Sequence, residues 1–319
     1  MNLRDIYSAR KRIEKYVRKT PLEYSHFLSD LSGGEVWLKL ENQQYTGSFK
    51  ARGAMNKLIQ LSPEEKACGI VTASSGNHAQ GVGYAGKILG VDSTIVVPAN
   101  TPRVKRDAIE LYGVELIVHG DEYMEAERYS RDLETKLGKT HISAYNDLDI
   151  IMGQGTVGLE IAEEMPDIDK VLVPVGGGGL ISGVGCALKA IDATTKVFGA
   201  QSVASPVMYE SFRQGRIVDM ELEDSYAEGL HGGIEENSVT FELCRKYVDE
   251  IILVEEETIL RAIRSALVEQ HQVIEGAAAV GVAAILTDPE RYNDEKVCIV
   301  ISGGNVESDL LKESLRFTS

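Results

Sequence analysis

Ser48-Phe49-Lys50-Ala51-Arg52-Gly53-Ala54 is the stretch on which the reading of this chain turns. An apolar run suited to a short β-strand, Glu35 to Leu40, comes before it, followed by the polar run Glu41-Asn42-Gln43-Gln44-Tyr45-Thr46-Gly47. A helical pattern begins within the stretch, with Met55, Leu58 and Ile59 spaced for one face. Ser48 is placed to cap that helix, since its hydroxyl can take an orphan amide at the start. Lys50 then falls in the first helical turn, where the positive end of the helix dipole disfavours an ammonium. The same repulsion favours the neutral amine, the form that attacks carbonyls.

Outward from this stretch, strand and helix patterns alternate. Gly69 to Ala73 and Ser93 to Val97 suit strands, with a helix over Gly76 to Gly90 between them. A helix opened by Pro102 at its first position is expected to run to Tyr112, then a strand from Val114 to Val118 and a helix from Asp121 to about Leu137. After His141 to Tyr145 come a helix over Ile151 to Met165, a nearly all-apolar strand from Lys170 to Val175, a helix from Leu180 to Ile191 and a strand from Lys196 to Gln201. Asp219 to Ser238 has little periodicity and is long for a loop, which marks it as functional or mobile. A helix over Val239 to Tyr247, a strand over Glu250 to Val254, a helix over Glu255 to Gln270, a buried small-residue helix over Glu275 to Leu286 and a last strand, Lys296 to Ile301, complete the series. This succession predicts an α/β fold, with parallel sheets covered by helices.

With 319 residues, 43% of them apolar, the chain can bury a full core and build two lobes. No apolar run reaches the roughly 18 residues that a membrane helix needs. The N-terminus has no signal core; it reads as an amphipathic helix with Leu3, Ile6, Tyr7, Ile13 and Val17 on one face. A net charge of −16 disfavours nucleic-acid binding, and the one basic run, Lys11 to Lys19, is broken by Glu14. The four cysteines, Cys68, Cys186, Cys244 and Cys298, form no Cys-x-x-Cys pair and are expected to be buried free thiols in a reducing cytoplasm.

Three strand ends carry candidate chemistry. Val173-Pro174-Val175-Gly176-Gly177-Gly178-Gly179-Leu180 runs from a strand through four glycines into a helix. Without side chains the backbone can turn its amides onto an anion at the helix N-terminus, so a phosphate fits there. No Gly-Lys-Ser/Thr follows, and the spacing is not that of a dinucleotide fingerprint. Thr72-Ala73-Ser74-Ser75-Gly76-Asn77-His78 is a second junction, rich in donors for a carboxylate. Ile301-Ser302-Gly303-Gly304-Asn305 closes the last strand, at the end where open α/β sheets place ligands. The six histidines have no metal-ligand spacing, and no metal is expected.

Lys-Leu-Glu-Asn-Gln-Gln-Tyr-Thr-Gly-Ser-Phe-Lys-Ala-Arg-Gly-Ala, residues 39 to 54, resembles the lysine motif of the threonine dehydratase and serine racemase family, pyridoxal-phosphate enzymes of the second fold type. The resemblance runs through essentially the whole chain and implies a short form without a regulatory domain. It implies the two-lobed, tryptophan synthase β-like architecture, with residues 46–145 as a small domain and 1–45 with 146–319 as a large one. Lys50 is then the residue that forms the Schiff base with the cofactor, and Phe49 packs by its ring. Gly176, Gly177, Gly178, Gly179 and Leu180 hold the cofactor phosphate, Asn77 meets the ring hydroxyl, and Ser302 faces the pyridine nitrogen. Gly229 and Glu275 lie near the cofactor. Ser74, Ser75, Gly76 and His78 take the substrate carboxylate, and Ser75 is also the position that exchanges a proton opposite the lysine in serine racemases.

The implied activity is that of a lyase. Pyridoxal-phosphate-dependent dehydration and deamination turns L-threonine into 2-oxobutanoate and ammonia, and L-serine into pyruvate and ammonia, with Lys50 as base at the α-carbon. A hydroxyl at the pyridine nitrogen leaves the ring a weaker electron sink, which suits prompt loss of a β-leaving group. Alternatives are serine racemisation, dehydration of another hydroxy amino acid such as 3-hydroxyaspartate, or a non-catalytic binding protein on the same fold. The run Gly229-Leu230-His231-Gly232-Gly233-Ile234-Glu235-Glu236 is where selectivity could be tuned. A cytoplasmic homodimer or higher homo-oligomer is expected, with no nucleic-acid or membrane partner.

Overall fold

Strand β7 (Lys170–Pro174) shows how the fold is built: Val171 and Val173 turn into one apolar cluster and Leu172 into another. The same alternation recurs in β10 (Lys296–Ile301), where Cys298 and Val300 join the first cluster and Ile299 and Ile301 the second. Period-2 strands that are apolar on both faces must be covered on both faces. In the computed structural model, which describes residues 1–317, these strands lie in a six-stranded sheet. Its order is β1 (Leu22–Tyr24), β2 (Glu35–Leu40), β10, β7, β8 (Lys196–Ser202) and β9 (Glu250–Val254). All neighbours are parallel except β1 with β2. A second sheet has the order β5 (Glu115–Val118), β4 (Ser93–Val97), β3 (Ile70–Ala73) and β6 (Thr140–His141), all parallel.

The helices are α1 (Leu3–Ile13), α2 (His26–Ser32), α3 (Lys50–Ile59), α4 (Pro63–Cys68), α5 (Asn77–Leu89), α6 (Arg103–Glu110) and α7 (Tyr123–Leu137). There follow α8 (Leu148–Glu164), α9 (Gly179–Ile191), α10 (Val207–Gln214), α11 (Val239–Tyr247), α12 (Glu256–Glu269), α13 (Gly276–Thr287) and α14 (Ser308–Ser314). Helix α13 is apolar all round and lies against the large sheet with α12 outside it, as a helix without a polar face requires. Helices α8 and α9 cover the opposite face. On the small sheet, α3 and α5 share a core with Ile70, Ile95 and Val97, and α7 covers Val71, Ala73 and Val96. Among the described residues no helix is long and apolar enough to cross a membrane, and no group of three His, Cys, Asp or Glu is arranged to hold a metal.

The structure corrects the sequence reading at several points. Ser48 does not cap α3: it is drawn into an isolated antiparallel bridge with Gly303, its buried hydroxyl has no partner, and Phe49 takes the N-cap position without a side-chain bond. Pro102 is the N-cap of α6 and not its first helical residue, because its ψ of 144° is extended, and the helix ends at Glu110. Cys68 ends a short surface helix and is exposed, whereas the other three thiols are buried. The short elements β1, β6, α2, α4, α10 and α14 lie outside the anticipated pattern; all are under nine residues, too short for periodicity to register.

Candidate active site

Lys50 opens α3, and the chain before it is stitched to the end of β10. Phe49 N–H donates to the carbonyl of Ser302 (3.1 Å) and Gly304 N–H to that of Gly47 (2.9 Å), on either side of the Ser48–Gly303 bridge. The Lys50 amine donates to the carbonyl of Ala144 at 2.9 Å, and the Phe49 ring centroid lies 5.2 Å from Nζ. Burial pulls the amine down to about 8, opposed by the nearby charge of Glu275. The direction is the one read from the sequence, but the main cause is desolvation and not the helix dipole.

The glycine loop meets α9 end on. Gly178 has φ +84°, and a Cβ there would lie 2.8 Å from Met208 and 3.1 Å from Cys244. A Cβ on Gly177 would be 2.5 Å from the ring of Tyr145, and one on Gly176 2.9 Å from the backbone of Leu230. The loop is therefore walled by Tyr145 and Leu230, and only glycine lets them come so close. No side chain caps α9, and the amides of Gly176, Gly177, Gly178, Gly179 and Leu180 have no acceptor among the described residues.

Ser74, Ser75 and Gly76 are half-buried at the start of α5. Neither serine caps the helix: Gly76 is the N-cap, without a side-chain bond, and the Ser74 hydroxyl accepts only from Gly76 N–H at 3.3 Å. The first-turn amides of α5 are thus left for another acceptor. The His78 ring turns away to the carbonyl of Ile142 (3.0 Å), and burial, reinforced by Lys50, holds it down at about 3, so it is neutral. What His78 can offer an anion is its backbone amide. Asn77 donates to Glu275 Oε1 at 2.7 Å and accepts from Asn305 at 2.6 Å. Glu275 is half-buried, and desolvation pushes it up to about 7, with the Asn77 bond and Lys50 acting against that rise. A Cβ on Gly303 would lie 2.4 Å from Glu275 Oε1, so glycine there admits the carboxyl. Gly229 is packed beside Ala277, its missing Cβ position 4.0 Å from the same oxygen. Lys50, Asn77, Gly229, Glu275 and the Ser302 turn are thus brought together.

Two groups escaped the sequence reading. Three consecutive residues of the β6–α8 connection touch three parts of the site: Ala144 holds the Lys50 amine, Tyr145 lies on the glycine loop, and Asn146 donates to Glu235 (2.8 Å) and accepts from Val239 N–H (2.9 Å). The Tyr145 hydroxyl accepts from Glu235 N–H at 3.0 Å. The second group is a buried charge quartet. Arg52 reaches both oxygens of Glu41 at 2.8 Å and both of Glu160 at 2.6 and 3.0 Å, while Lys39 meets Glu160 at 2.7 Å. Burial alone would lower the Arg52 pKa, but the two carboxylates raise it; conversely, Arg52 and Lys39 outweigh burial and hold Glu160 down. The only prior signal was that Lys39, Glu41 and Arg52 flank the lysine within one motif.

A half-buried lysine held on Ala144, next to the tyrosine that walls a glycine loop with orphan amides, defines a class of carbonyl-cofactor enzyme. The chain belongs to the pyridoxal-phosphate dependent enzyme family, whose profile matches residues 13–303. It is 44% identical over 311 residues to the L-threonine ammonia-lyase of Thermotoga maritima, an alignment covering 98% of this chain and 77% of that relative. Among solved structures, the processed form of threonine deaminase isoform 2 from Solanum lycopersicum superposes with a TM-score of 0.94 at 35% identity, over 98% of this chain and 86% of that one. Maize serine racemase superposes with a TM-score of 0.93 at 33% identity, over 98% and 96%. The residues present fit the cofactor: the five unpartnered amides suit its phosphate, and the desolvated Lys50 amine suits its aldehyde.

Proposed function

We propose that this protein dehydrates and deaminates L-threonine and L-serine, releasing 2-oxobutanoate or pyruvate with ammonia. The observation that carries the reading is Lys50, a desolvated amine with a pKa near 8, held on the Ala144 carbonyl beside the orphan amides of the glycine loop. The names of the Thermotoga and tomato relatives support the substrate class.

When bound, pyridoxal phosphate supplies an electron sink for the α-carbon of an amino acid. Gly176, Gly177, Gly178, Gly179 and Leu180 would hold its phosphate, Phe49 and Gly229 its ring, Asn77 and Glu275 its hydroxyl side and Ser302 its nitrogen. Ser74, Ser75 and the amides of Gly76 and His78 would hold the substrate carboxylate at the α5 N-terminus. Lys50 Nζ removes the α-proton; a pKa near 8 leaves part of the amine neutral at physiological pH and makes it an effective base. The Ala144 carbonyl then steadies the ammonium that results. We assign residues 46–145 to a small domain that closes the cleft against 1–45 and 146–319, and expect a cytoplasmic homodimer or higher homo-oligomer. Keto-acid release from L-threonine, L-serine, D-serine and the 3-hydroxyaspartate isomers tests the reading. Lys50→Ala is expected to lose turnover and the cofactor's Schiff-base absorbance together; keto-acid production by that variant would refute the role of Lys50.

A second reading, serine racemisation, is favoured by the likeness to maize serine racemase and by Ser75 at the α5 junction. Chiral analysis of residual substrate separates the two, since L-serine that yields pyruvate without D-serine excludes racemisation. Turnover confined to a 3-hydroxyaspartate isomer would shift selectivity to the Gly229–Glu236 run.

A further inference from the structure

The segment after Glu223 crosses the site as an irregular strap. Its beginning is pinned from below, where the Glu256 carboxylate accepts from Ser225 Oγ and Tyr226 N–H, both at 2.7 Å. Tyr226 then runs so close to α13 that its carbonyl lies 1.9 Å from where a Cβ on Gly276 would be. The far end is held by Tyr145 and Asn146 through Glu235. Between these points Gly229 lies beside Glu275 and Leu230 on Gly176, yet the only regular structure is the single 3₁₀ turn Glu228–Leu230. Gly232, at φ +132°, and Gly233 have open space around them. The middle of the strap therefore depends on side-chain fasteners.

One such fastener comes from the other sheet. Lys105, on α6 beside β5 and α5, places Nζ 2.8 Å from Glu228 Oε2 and 2.7 Å from Glu307 Oε1, just before α14. A single ammonium thus joins three segments remote in sequence. Its side chain is 24% exposed, against 36% for Glu307 and 64% for Glu228, so the Lys105 end is shielded while salt can compete at Glu228.

We propose that Lys105 is a positioning residue for the reaction: by pairing with Glu228 and Glu307 it holds Gly229 and Leu230 against Glu275 and Gly176, and so sets the affinity for the amino acid. The inference rests on the proposed activity only for its kinetic consequence; the fastening itself is read from the two ion pairs. Hydrogen exchange and kinetics on Lys105→Met, Lys105→Arg and Glu307→Gln test it. Losing one partly shielded ion-pair cluster is expected to speed amide exchange across residues 227–233 about fivefold in Lys105→Met, with β7 and β10 unchanged. KM rises about fivefold with kcat within about twofold, Lys105→Arg restores both, and Glu307→Gln falls between. Added salt raises KM in the wild type but not in Lys105→Met. Unchanged exchange in the strap, or equal acceleration in β7 and β10, overturns the proposal. A wild type inactive on every hydroxy amino acid would defeat the proposed activity while the exchange result still decides the fastening.

Discussion

Glu275 and Lys50 share one desolvated pocket, and burial pushes each toward its neutral form, to about 7 and about 8. For Glu275 the folded pKa lies above the ordinary 4.5, so the native state binds more protons between those values and stability falls as pH rises from about 4.5 to 7. For Lys50 the folded pKa lies below 10.5, the unfolded state binds more protons, and stability rises between about 8 and 10.5. The cofactor-free protein thus carries both penalties between pH 7 and 8. Glu275→Gln, which keeps shape and an acceptor for Asn77, is expected to raise its stability at pH 8 by about 2 kcal/mol and to leave it nearly unchanged at pH 4.5. Denaturant titrations at the two pH values check this; an equal change at both would assign the effect to packing and not to ionisation.

At the scale of elements, glycines decide how closely helices approach. A Cβ on Gly153 of α8 would lie 2.6 Å from the Arg52 carbonyl and from Gly53 Cα of α3, backbone that cannot step aside alone. Gly153→Ala should therefore force α3 and α8 apart, costing about 1–3 kcal/mol by urea unfolding. Gly76→Ala has open space and an ordinary φ, so it should unfold like the wild type while weakening any anion held at the α5 N-terminus, read from KM for the amino acid. The contrast also explains what was legible in the sequence. Strands such as β7 and the glycine run before α9 announce themselves through local pattern, so their places were readable, as was the lysine at the head of α3. Ser48 as a cap was a sound local inference, defeated by a bridge to Gly303, at the other end of the chain. Tyr145, Asn146 and Lys105 gave no signal, because their roles exist only as pairings between segments that a linear pattern does not relate.

At the scale of the molecule, Arg52 is the rivet between the sheets, joining Glu41 after β2 to Glu160 on α8 from within α3. Arg52→Met would leave Glu160 facing Lys39 and Glu41 held only by the Thr20 hydroxyl, and a loss of about 3–5 kcal/mol is expected from chemical denaturation. Arg52→Lys should recover only part of it, since an ammonium cannot bind both carboxylates side by side. The pairing of Gly47, Ser48 and Phe49 with Ser302, Gly303 and Gly304 has a consequence in time. The lysine leaves the ribosome early, but the strand end that seats it is made roughly 250 residues later, a delay of tens of seconds at ordinary elongation rates. So long a loop closes slowly and late. Acquisition of the visible cofactor band during synthesis or refolding would therefore act as a clock for the final step of assembly, lagging behind the secondary structure of both sheets.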